Sequence, residues 1–100
     1  MQIGKVRGTI VSTQKIPSLT GSKFLLVQLI DEQGQLLPKY EVAADIVGAG
    51  TDEWVLVSRG SAARQEPGQE RRPIDAMVIA IIDTVSVNHR LLYSKKEDDR

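Results

Sequence analysis

Phe24-Leu25-Leu26-Val27-Gln28-Leu29-Ile30 decides how this chain folds. The run is the right length for one strand and too short for a buried helix, and it carries large apolar side chains on both of its alternating faces. Leu25, Val27 and Leu29 share one face, while Phe24, Leu26 and Ile30 share the other. Residues 76–87 repeat the pattern, with Met77, Ile79 and Ile81 opposite Val78, Ala80 and Ile82. A strand in a barrel wall has only one inner face, so the second set of side chains needs a cover of its own. Leaving it open would create the kind of contiguous apolar patch that soluble monomers rarely carry. Burying about six such side chains is worth on the order of 10 kcal/mol as an upper estimate, comparable to the whole stability of a small domain.

Working outward, residues 5–10 alternate between Lys5, Arg7, Thr9 and Val6, Gly8, Ile10, which predicts a first strand over residues 3–12. Turn residues fill positions 17–22. Residues 31–35 read as a polar hairpin connection into a third strand over 37–43, with Pro38 at its start or on an edge. Residues 43–50 have no clean period, and Gly48 and Gly50 suggest a tight bend or a close backbone approach. Residues 54–57 are a short buried strand with Trp54 in the core, and residues 76–87 form the last long strand. Ser61 can cap a very short helix over 62–65 that Pro67-Gly68 stops. The fold expected is all-β: a five-stranded OB-like Greek-key barrel with one short helix, formed by residues 1–93 and followed by a polar tail over 94–100.

Length and composition narrow the function. A 100-residue chain makes one domain with a modest core, so burial through association is useful to it. Thirteen basic residues balance thirteen acidic ones, which removes the electrostatic footprint of a general nucleic-acid or membrane-surface binder. With no cysteine there is no thiolate nucleophile and no sulfur-ligated metal, and the N-terminal residues show no signal-peptide pattern, so a cytoplasmic protein is expected. His89 is the only histidine and reads as a solvated turn residue, leaving no second imidazole for a triad or metal site. No catalytic, cofactor-binding or metal-binding residue is assigned.

The candidate site is an interface. A neighbouring subunit is the economical cover for the second apolar face, and the alternative is the short helix together with Leu91-Leu92-Tyr93 folding over it. Gly48, Ala49 and Gly50, with Gly60, Ser61 and Ala62, are small enough to let subunits approach closely or to converge on a central axis. Arg64, Asp75 and Asp83 are the charged members of the same group. Asp83, read as lying within an apolar strand, requires a partner there, with Arg59 or Arg64 as candidates.

Several segments, in this order and spacing, resemble the CcmL/EutN family of bacterial microcompartment shell proteins. They are Leu19-Thr20-Gly21, Tyr40-Glu41-Val42-Ala43, Asp45-Ile46-Val47-Gly48-Ala49-Gly50, Glu53-Trp54-Val55-Leu56-Val57, Gly60-Ser61-Ala62-Ala63-Arg64 and Pro73-Ile74-Asp75-Ala76-Met77-Val78. The resemblance covers nearly the whole chain, residues 94–100 being the part that departs from it. It implies a cyclic homopentamer at the vertices of a carboxysome shell in the cytoplasm, with hexameric carboxysome shell proteins as neighbours and carbon dioxide fixation by enclosed enzymes as the setting. It implies no enzyme activity and no cofactor. Two other classes compete: an OB-fold module that binds single-stranded nucleic acid, and a small-ligand enzyme with Arg64, Asp75 and Asp83 at a subunit junction.

Overall fold

The computed structural model describes residues 1–11, 16–17, 23–60 and 74–98, the last two by their backbone. The strands are Gln2–Ile10 (β1), Lys23–Ile30 (β2), Leu36–Asp45 (β3), Trp54–Arg59 (β4), Ala76–Ile81 (β5), Thr84–Val87 (β6) and Arg90–Ser94 (β7), followed by a single helical turn, Lys95–Asp98 (α1). The first five close into a barrel in the order β1-β2-β3-β5-β4, with β4 returning to β1. The expected all-β, OB-like Greek-key barrel is what forms. Every barrel pairing is antiparallel except β3 with β5, which run parallel and meet only at Ala44–Met77 and Asp45–Val78.

Valine and alanine, joined by Leu25, fill the narrow lumen: Val6, Val27, Ala43, Val55, Val57, Ala76 and Val78, with Ala49 entering from a loop. Gly4 is required by the same tightness, because a Cβ there would overlap the side chain of Val27. The pairing of β1 with β2 slips between Val6 and Gly8, and this bulge inserts Arg7 as an extra residue. Val6 therefore faces the lumen, whereas Ile10, on the same sequence parity, pairs with Phe24 on the outside and is exposed. The alternation of residues 5–10 is real, but the bulge splits its apolar set between two faces.

Residues 76–87 are not one strand. The chain leaves the barrel at Ile82–Asp83, where the Ile82 N–H donates to the Trp54 carbonyl and the Asp83 carbonyl accepts from the Lys95 N–H. β6 then pairs with β7 as a separate two-stranded sheet. Asn88 and His89 turn that hairpin with positive φ angles of 51° and 64°, so His89 is the exposed turn residue the sequence suggests. The helix expected over residues 62–65 lies outside the described residues. In the expected tail, Ser94 ends β7 and residues 95–98 form the helical turn.

Candidate assembly surface

Residues directly opposite one another in a sheet share a face, so the register fixes what lies on the barrel's outer wall. One outer row is Gly8–Leu26–Val42, and the next is Ile10–Phe24–Ala44–Met77. Tyr40 sits outside beside Gln28. Part of this wall is covered by the chain itself: Met77 is fully buried against Ala44 and Ile74, with Phe24 and Ile79 packed on them. The remainder stays open. Val42 is 53% exposed, Tyr40 54% and Ile10 39%, and Leu26 is half-buried between them.

Leu91-Leu92-Tyr93 does not cover this face. Tyr93 is buried by stacking on Trp54, with ring centroids 4.1 Å apart and planes 12° apart, while Leu92 packs beneath Gly34 and Leu91 remains exposed. Trp54 is consequently a half-buried outer residue rather than part of the lumen.

One end of the barrel is closed by residues 46–53. The Asp45 side chain, 1% exposed, accepts N–H groups from Val47 at 3.0 Å, Gly48 at 3.1 Å and Ala49 at 3.0 Å, with the Lys23 ammonium 3.8 Å away. Gly48 adopts the positive φ of 78° that this tight turn needs. The turn drives Ala49 into the lumen, where it is 2% exposed. Glu53 secures the other side of the loop: its carboxylate accepts the Gly50 N–H at 2.5 Å and pairs with the Lys95 ammonium at 2.5 Å. The hydrogen bond from Lys95, then that from Gly50, hold the Glu53 carboxyl below its ordinary range against the opposing effect of burial. Val6 N–H to the Glu53 carbonyl and Asp52 N–H to the Val6 carbonyl join the loop to β1.

The residues singled out in the sequence are therefore spread over several places. Gly48 and Gly50 lie exposed on the closing loop, but Ala49 faces its own barrel and has no side chain to offer a neighbour. Gly60 is exposed with φ of 66°, and its N–H donates to the Asp75 carbonyl at 2.6 Å. Ser61, Ala62 and Arg64 lie outside the described residues. Asp83 lies at the exposed bend after β5 rather than within a strand, and of its two candidate partners Arg64 lies outside the described residues. Arg59 pairs instead with Glu41, at 2.9 Å. Asp75 and Asp83 flank opposite ends of β5, roughly 25 Å apart within one chain at the rise of an extended strand. Among the described residues, no three His, Asp or Glu side chains gather as a metal-holding group.

The sequence reading missed Asp45 and Glu53. The first carried a signal, an aspartate three residues before a glycine, the pattern of a side chain that caps its own turn. The second carried none, because its partner Lys95 is distant in the chain.

A family profile described as ethanolamine utilisation protein EutN/carboxysome matches residues 1–83. The carboxysome shell vertex protein CcmL of Gloeobacter violaceus is 73% identical over 100 residues, the whole of both chains. The chain belongs to this EutN/CcmL family. Its fold matches as well: the solved structure of Gloeobacter violaceus CcmL superposes with a TM-score of 0.93 at 75% identity, covering 96% of this chain and 99% of that one. A less similar solved structure, the GrpN pentameric microcompartment shell protein from Rhodospirillum rubrum, gives a TM-score of 0.76 at 45% identity over 87% of this chain and 98% of that one.

Proposed function

We propose that this protein is a structural component of the carboxysome shell, working as a cyclic homopentamer at its vertices. The observation that carries the reading is the open apolar wall of Ile10, Leu26, Tyr40 and Val42, in a chain whose relatives are shell vertex proteins. A cyclic interface joins one patch to a different patch on the next copy until the rotation closes, so a single chain can cover this wall with another part of itself. Pentagonal units let a sheet of hexagonal tiles curve shut, and the proposed neighbours are accordingly hexameric shell proteins. The shell lies in the cytoplasm, and the protein's contribution there is geometric, with no catalysis of its own.

The nucleic-acid alternative gains no support. Such a groove needs several exposed stacking aromatics and positive charge, whereas Trp54 and Tyr93 are occupied with each other, Phe24 is half-buried, Tyr40 alone of the four aromatics is exposed, and the charges balance. Light scattering after size-exclusion chromatography tests the proposal: the expected mass is about five times the 11.0 kDa chain. A stable monomer or a hexamer overturns it.

A further inference from the structure

The C-terminal segment is held to the rest of the chain at three points that do not belong to the barrel's own ladders, and one of them, at Glu53, is on the Asp45–Glu53 loop. Tyr93 stacks on Trp54, the Lys95 N–H donates to the Asp83 carbonyl at 2.8 Å, and the Lys95 ammonium meets Glu53. Glu53 in turn holds the Gly50 N–H, and Gly50 follows Ala49, the residue that plugs the lumen. A continuous line of contacts therefore runs from the end of the chain into the loop. That loop displays Ile46 and Val47, which are 46% and 37% exposed although backbone bonds fix the turn beneath them. Ile46 is also the next residue in the alternate series Tyr40, Val42, Ala44, one step past the end of β3, with the buried Ala44 between it and the open wall.

We infer that residues 90–96 are a strap that positions the closing loop, and that the loop so held presents Ile46 and Val47 to a second copy of this chain. The docking half rests on the ring proposed above; the strap half does not. The occupant is another copy because a related shell protein of the same fold is pentameric, and a fixed apolar tip joins a neighbour without first losing loop entropy. Lys95 acts through Glu53 and is a positioning residue. The partner touches the tip and not the lysine.

The test compares the full-length chain with Lys95→Met, which keeps the length of the stem and removes the charge, and with Lys95→Arg, which restores it. Amide hydrogen exchange of Ala49 and Gly50 reads the loop, exchange of Val27 and Val55 reads the barrel, and light scattering on dilution reads assembly. Lys95→Met is expected to speed exchange at Gly50 by about fivefold or more and to raise the dissociation midpoint by a similar factor, leaving Val27 and Val55 unchanged. Lys95→Arg is expected to restore both. Unchanged exchange at Ala49 and Gly50 in Lys95→Met overturns the strap. A faster-exchanging loop with an unmoved midpoint overturns its role in docking. A wild-type chain that stays monomeric at every concentration overturns the ring and the docking half together, and the exchange rates then decide the strap alone.

Discussion

The two faces of β2 are made of similar residues and meet different fates. Inside, Leu25 and Val27 are completely enclosed by valines and alanines from every other barrel strand. Outside, Phe24 and Leu26 are half-buried, beside Val42 and Ile10 that stand open to solvent. One strand thus serves two packing problems. The inner face folds the chain, and the outer face is left for something that the chain alone does not supply. Hydrophobicity by itself does not distinguish them; register does, because the bulge at Arg7 and the pairing with β3 determine which side each residue takes.

The contrast breaks most visibly at Leu25. Leu25→Ala empties part of a lumen with no room to collapse, and a loss of about 2–5 kcal/mol in chemical denaturation is expected. A loss below about 1 kcal/mol would mean that the inner face is not the folding face. Val42→Thr sharpens the other side of the comparison, since it keeps shape and β-branching and exchanges one methyl group for a hydroxyl. Monomer stability should move by less than about 0.5 kcal/mol, while the dissociation midpoint of the assembly rises about tenfold as an unpaired hydroxyl enters the contact. Equal effects on both measurements would erase the distinction between the faces.

The smallest expected effect is on pH. Glu53 has a folded-state pKa below its ordinary value, so its contribution is fully present above the ordinary value and is lost as pH falls through the lower folded one. Acid titration monitored by the fluorescence of Trp54, the neighbour of Glu53 and the only tryptophan, should show a shallow loss of stability in that window. Glu53→Gln should flatten it. A titration that keeps its shape in Glu53→Gln would assign the acid response to other carboxylates.

Much of this was legible in the residues. The doubled apolar pattern of 24–30 gave both the barrel wall and the need for an outside cover, because period-two alternation is a local property. The break at Ile82–Asp83 was not legible: Ile81-Ile82-Asp83-Thr84-Val85 keeps β-forming residues throughout, and the chain leaves the barrel there through bonds to Trp54 and Lys95, which lie elsewhere in sequence. The placement of Asp83 at a bend instead of within a strand was hidden for the same reason. Of the candidate interface, the turn at Gly48 was readable from glycine, whereas the inward side chain of Ala49 depended on three hydrogen bonds to one carboxylate.

The parallel seam between β3 and β5 has a mechanical meaning. It joins two residue pairs where β1 and β2 join seven, so a distorted barrel parts there before its long ladders unlace. Each copy can alter its girth slightly at the cost of a short, slanted set of bonds. In the ring proposed above, this seam is the place where each corner piece yields first to a misfit with its neighbours.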